Sequence, residues 1–418
     1  MISKQSILRQ RGFVALWVGQ TVSAVGSQIS GLALPVIAVT FLSATELQMG
    51  FLNAADTSAF LVVGLLAGAW VDRWIKRRVM LIADLVRMIA VLAIPLLWLQ
   101  GSLNIYHLIV IGAVLSVATV FFDVAYQSYI PILLPKEFIG VGNSRLETTA
   151  QISGVASPSI VGWLLIFLKA PLMLFLDAFS FLVSSIALWF IKDRELPKPK
   201  QDRRPLRSEI AEGLKFVWNQ KLIRVISFTT ASSNLFASIV GTMYALYFFR
   251  EDNLGFSTGA FGLLASVGSL GGLIGATVTP KLIKIFGEGP LVVISALSSG
   301  CTQLLIPMSW YVNRELSLVF LGAQFFLTAF FALTYNITQV TARQRMCPEH
   351  LLGRMNASIR FLVWGCMPVG ALISGALGSV IGVLNTIWVG AIFALFSSGF
   401  VFFSPLRTMR EMPQKPDA

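Results

Sequence analysis

Twelve apolar runs, each near or above the roughly 20 residues that cross a bilayer as a helix, follow one another along this chain with short charged connections. They lie at about 13–41, 47–71, 79–100, 106–134, 144–168, 171–191, 223–249, 256–280, 289–312, 316–342, 353–380 and 384–404. Backbone groups in lipid find no solvent partner, so each run is predicted to be a helix. Only 12% of the residues are charged, about half the roughly 25% of a soluble domain. The expected fold is all-α and integral to the membrane, with twelve transmembrane helices in two pseudo-symmetric halves of six.

The net charge of +12 does not imply a nucleic-acid partner, because the bases sit in loops between apolar runs. Of the 32 lysines and arginines, 27 fall in the segments on the same side as the termini. Three (Lys169, Arg250, Arg314) fall on the opposite side, and Arg87 and Arg360 lie within spans. By the positive-inside rule both termini are cytoplasmic. The polar, basic start of the chain and the length of the first run argue for a retained first span rather than a signal peptide.

The long connection between spans six and seven divides the chain into a first half (1–192), a cytoplasmic linker (193–222) and a second half (223–418). Its early part, Pro197 to Pro205, is charged and proline-broken. Its later part sets Ile210, Leu214, Val217 and Trp218 on one helical face, which predicts a helix lying on the membrane surface. The halves repeat: Pro135, Gly140, Asn143 and Gly162 recur as Pro348, Gly353, Asn356 and Gly375 at an offset of 213. Parallel repeats of six spans are a transporter architecture, with the substrate site between the halves.

A cavity requires polar faces inside apolar spans. Gln20, Ser23, Ser27 and Ser30 share a face of span one, and Ser116, Thr119, Asp123 and Tyr126 a face of span four. Ser227, Thr230, Asn234 and Ser238 do so in span seven, and Gln324, Thr328, Tyr335 and Gln339 in span ten. The candidate cavity residues are Gln20, Ser27, Asn53, Asp56, Asn234, Gln324, Tyr335 and Gln339. Ionisable residues within the membrane are costly and mark function. Asp56, near the middle of span two with Asn53 and Phe60 a turn to either side, suits reversible protonation or a substrate cation. Asp123, towards the cytoplasmic end of span four, is a second proton-coupling candidate, and it could equally meet Arg77, Arg78 or Arg87. Asp84 and Arg87 are spaced to neutralise each other. Asp177 and Arg360 read as polar groups in helix packing.

Gly154, Pro158 and Gly162 in span five would allow close packing and a bend, as a gate or hinge requires. Between spans two and three lies a short burst of charge, Asp72, Arg73, Lys76, Arg77 and Arg78. Topology accounts for the bases. An acid at the end of a helix becomes favourable if it faces the N-terminus of another.

Together these features resemble the major facilitator superfamily. Its loop signature, Gly-x-x-x-Asp-Arg-x-Gly followed by two bases, is met by Gly68, Asp72, Arg73, Lys76 and Arg77, with Ile75 in place of the second glycine. Leu16-Trp17-Val-Gly-Gln20, Pro131-Ile-Leu-Leu-Pro135, Leu176-Asp177-Ala178-Phe-Ser180-Phe181 and Glu212-Gly213-Leu-Lys-Phe are similar to its drug–proton antiporter branch, which has macrolide-efflux-like and siderophore-exporter-like members. The resemblance implies alternating access by a functional monomer, with Asp72, in the loop of Gly68, Arg73, Lys76 and Arg77, as a conformational latch against the start of span eleven. It implies export of a small amphipathic organic substrate against inward proton flow, with the proton gradient as energy source and no cofactor. A facilitative carrier of lysolipid or metabolite, or a non-transporting receptor or scaffold, are the alternatives.

Other classes lack their parts. No Gly-x-x-x-x-Gly-Lys-Ser/Thr loop is present for an ATP-driven pump. Two distant histidines and three scattered cysteines offer neither a metal site nor an enzyme's nucleophile–base pair.

Overall fold

A computed structural model of the chain describes residues 7–71, 73–191, 195, 206–348 and 351–413. Among these residues are eleven helical stretches long and apolar enough to cross a membrane, and no strands. In order, the helices are α1 (Arg11–Thr40), α2 (Glu46–Val62), α3 (Gly64–Val71), α4 (Lys76–Leu99), α5 (Ile105–Leu133), α6 (Lys136–Phe167) and α7 (Ala170–Phe190). There follow α8 (Leu206–Asn219), α9 (Lys221–Phe249), α10 (Thr258–Phe286), α11 (Glu288–Gln303), α12 (Leu305–Met308), α13 (Arg314–Met346), α14 (Leu352–Ile381), α15 (Val383–Ser397) and α16 (Gly399–Phe402).

Span two, expected as one helix, is two: Val63 interrupts it between α2 and α3. The hydrogen bonds from Val63 N to Ala59 O and from Ala67 N to Val63 O, both 2.8 Å, keep its backbone satisfied across the break. Several helices outrun their apolar segments. α6 begins at Lys136 rather than near 144 and α13 runs to Met346, because a helical ladder continues into water where hydropathy no longer marks it. The repeat survives as local structure. Phe138 N bonds Pro135 O and Leu351 N bonds Pro348 O, each at 2.9 Å, so both halves open their fifth span with the same turn.

The chain forms two compact units, Met1–Ala44 with Ala55–Arg203, and Thr45–Ala54 with Arg204–Ala418. In the first, α7 packs between α1 and α4, and α5 lies against α4. Its core includes Leu16, Met80, Phe122, Tyr129 and Leu188. In the second, α9 packs on α14 and α15, and α13 on α10 and α11.

Glycines set the closest approaches in the second unit. Gly268, Gly271 and Gly275 of α10 lie against the backbone of Phe325, Phe326 and Phe330 of α13, and a Cβ on Gly271 would stand 2.8 Å from the Phe326 carbonyl carbon. Neither backbone can yield without parting the helices. Gly271→Val is therefore expected to destabilise the protein by about 1–3 kcal/mol, read as a lowered thermal midpoint in detergent. An unchanged midpoint would mean that α10 and α13 separate freely.

The surface helix forms as α8, but its apolar face is divided. Gly213 sits against Arg354 and Ser358 of α14, Val217 is buried with Ile223, Met355 and Ile359, and Glu212 pairs with Arg354 at 2.6 Å. Trp218 alone of that face remains broadly exposed among the described side chains, with Phe228 beside its ring. A neighbouring helix, not lipid alone, takes the face, because glycine at 213 lets the two backbones close. The stretch Pro197–Pro205 and the side chain of Ile210 lie outside the described residues.

Candidate functional site

The second unit holds an open cavity of about 190 Å³. α9 supplies Thr229, Thr230, Ser233 and Asn234, and α13 supplies Thr328, Tyr335 and Asn336. α11 adds Ser299 and Gln303, and Ala237, Ala296, Gly300, Ala332 and Ala394 complete the wall. Every polar group there is neutral. Hydroxyls and amides at helical spacing present donors and acceptors to a ligand without the desolvation cost of a charge.

The walls are held by bonds between helices. Thr230 and Tyr335 share a hydrogen bond of 2.8 Å, as do Thr302 and Thr328, and Asn234 donates to Val363 O at 3.1 Å. Asn234 and Tyr335 are thus both in the wall of this cavity, which lies within the second unit rather than between the halves where the site was expected. Gln324 and Gln339 do not line it. They are buried one turn beyond Thr328 and Tyr335, where Gln324 donates to Thr328 at 3.2 Å and Gln339 to Asn336 at 3.4 Å. The helical period placed them on the right face, and their side chains turn back onto their own helix. Ser299 and Gln303 were missed because span nine was not expected to contribute. Their four-residue spacing on an apolar helix was the available signal.

In the first unit the polar face of α1 divides. Gln20 donates to Ser184 at 3.3 Å and Ser30 donates to Asp177, both on α7, while Ser27 is exposed. Most of this face thus joins two helices. Ser116 of α5 likewise accepts from Ala59 N at 3.4 Å. Asp56 is exposed on α2, with no hydrogen bond or ion pair among the described residues. Asn53, half-buried, donates to Met49 O in its own helix at 3.1 Å. Asp123 is half-buried near Tyr126.

Arg87 forms an ion pair with Asp84, as their spacing suggested, and stands 4.2 Å from the Phe122 ring and 4.6 Å from the Phe181 ring. Asp177 joins α7 to α1, accepting from Ser30 and, at 3.1 Å, from Ser180. Arg360, expected in helix packing, is instead exposed and lies over Trp364 of its own helix.

The charged loop does more than mark topology. Lys76 is buried and pairs with Glu195 at 3.3 Å. Arg77 donates to the carbonyls of Leu188, Trp189 and Ile191 at the end of α7, satisfying acceptors that the helix leaves open. These bases serve the C-terminus of α7. Arg73 is exposed, and its backbone N–H bonds Trp70 O at 3.0 Å. Asp72, the expected latch, lies outside the described residues, as do the surroundings of Gly68. Of the hinge residues in α6, Gly154 is exposed with open space where a Cβ would stand, so it makes no close helix contact there. Pro158 is accommodated within the continuous helix and Gly162 is buried.

Comparison with known proteins accords with this architecture. The chain is 24% identical to the multidrug efflux pump Tap of Mycolicibacterium fortuitum over 97% of each chain. It is 22% identical to macrolide efflux protein A of Streptococcus pyogenes over 56% of this chain and 55% of that one. A bacterial homologue of the iron transporter ferroportin, solved in an inward-facing state, has the same fold at a TM-score of 0.70 and 18% identity, covering 97% of this chain and 100% of that one. Residues 16–367 match the Major Facilitator Superfamily. With its two helical units and membrane-length helices, this multi-pass membrane protein belongs to that superfamily and is a transporter rather than an enzyme.

Proposed function

We infer that the protein exports a small amphipathic organic compound across a bacterial plasma membrane, with both termini cytoplasmic, working as a monomer by proton antiport. The neutral cavity of α9, α11 and α13 carries this reading, since hydroxyl, amide and aromatic groups suit drugs, macrolide-like antibiotics and siderophores. The likeness to a multidrug efflux pump over nearly the whole of both chains supports export. Asp56, exposed and without a counter-charge among the described residues, is the proposed acceptor for the driving proton, with Asp123 second. Asp72 with its neighbouring bases would serve as latch, and Gly154, Pro158 and Gly162 as hinge. No cofactor is required.

A pump-deficient bacterium expressing the chain tests this. Raised resistance to at least one compound of a drug panel, or secretion of a siderophore, is expected, and a proton uncoupler should abolish it. Efflux insensitive to the uncoupler would indicate a facilitative carrier. No change with any compound would count against export.

A further inference from the structure

The first unit buries three formal charges that the proposed transport cycle leaves unused. Asp84 and Arg87 of α4 are ion-paired, and Arg87 lies 4.6 Å from the ring of Phe181, one turn along α7 from Asp177. Asp84 and Asp177 are each 0% exposed and Arg87 is 5% exposed. Two carboxylates therefore share one cation, away from water.

The groups that face this cluster from the neighbouring helices are neutral. α1 contributes Ser30 and Gln20, α5 contributes Phe122, and α7 contributes Ser180, Phe181 and Ser184. The other charges on these helices are placed elsewhere. Lys76 pairs with Glu195, Arg77 holds the end of α7, Arg78 is exposed, and Asp123 and Glu147 lie about Tyr126. Arg145 of α6 stands over the Trp17 ring.

An unmatched carboxylate in an apolar interior carries a desolvation penalty that relaxation does not remove, as any buried ion does. A carboxylate and a guanidinium in contact cancel. With two acids and one base, the neutral arrangement carries one proton, and the two acids titrate as a pair. Hydrogen bonds offset a second negative charge only in part: Asp177 accepts from Ser30 and Ser180, but Asp84 Oδ2 and Arg87 Nε have no hydrogen-bond partner.

We propose that Asp84, Arg87 and Asp177 form a buried site holding one exchangeable proton, shared between the two carboxyls. Resting on the proton-coupled export inferred above, this is a proton that the coupling cycle carries. On release the carboxyl O–H bond breaks, its electron pair stays on oxygen, and the proton passes to water; uptake is the reverse. Neither acid has exposed surface, so exchange requires α1 and α7 to part and the Ser30–Asp177 bond to break. Gly26 keeps that contact tight: a Cβ there would stand 2.7 Å from Asp177 Oδ1. Proton release is thereby tied to helix movement.

Infrared spectroscopy of the purified full chain in lipid nanodiscs reads protonated carboxyls through a C=O stretch distinct from that of carboxylates. At neutral pH the wild type is expected to show such a band. Asp84→Asn and Asp177→Asn should each abolish it, because the remaining acid then pairs with Arg87 and ionises. A single protonated acid acting alone would lose its band in only one of the two variants. Ser30→Ala keeps both acids and should shift the band without removing it, and an unmoved band would place the proton elsewhere. A band that survives either Asn substitution overturns the proposal, as does its absence from the wild type. The measurement needs no substrate. If no compound is exported but the band behaves as described, the export reading fails and the proton site stands.

Discussion

Arg87→Leu should cost about 3–5 kcal/mol of stability, the usual loss when one partner of a buried ion pair is removed. The substitution strands Asp84, which is fully buried and has one oxygen already without a partner. It also removes the cation held between Phe122 and Phe181. Leucine fills part of the space between the rings but supplies no charge. The loss should shrink in acid, since a protonated Asp84 leaves no charge to strand. It should also shrink in the double variant Asp84→Asn/Arg87→Leu, where the acid is neutral at every pH. Thermal unfolding in detergent across a pH series reads all three. A midpoint for Arg87→Leu equal to the wild type at neutral pH would show that the pair contributes nothing.

Asp56→Asn should reduce pH-gradient-driven efflux from proteoliposomes to the level of empty vesicles, while binding of the transported compound survives. The amide keeps the size and polarity of the carboxyl and loses only its ability to exchange a proton. Asp56 makes no hydrogen bond or ion pair among the described residues, so its replacement breaks no packing. The loss should therefore appear in transport, with the thermal midpoint unchanged. Undiminished coupled efflux would sink the role given to Asp56. Asp56 and the buried acids differ in packing: the first lies on the surface of α2, whereas Asp84 and Asp177 are enclosed between helices.

Much of the fold was legible because hydropathy is a local property. A helix surrounded by lipid needs only its own apolar run, so each expected span reappears as a helix or as consecutive helical pieces. The ends were less legible, since hydropathy stops at the bilayer while the ladder of hydrogen bonds does not. Val63 shows the opposite failure, an interruption inside a run whose composition never changes.

The site was legible by face and not by partner. A period of 3.6 residues placed Gln20, Ser23, Ser27 and Ser30 on one side of α1, but it could not say that α7 would meet most of that side. The same period put Gln324 and Gln339 in line with Tyr335, and only the packed structure turned them away from the cavity. Asp84 and Arg87 were found from the sequence because they lie on one helix. Asp177 joins them from a helix some ninety residues further along the chain, at a distance in sequence that no periodicity spans.

The sequence by itself determined the solvent and the helices. Each follows from the cost of placing a residue in lipid, which depends on that residue and its immediate neighbours. Tertiary structure alone decided that Arg77 closes α7, that Ser299 and Gln303 join the cavity, and that two acids share one arginine. Those are choices among partners, made where glycine and serine let particular helices approach.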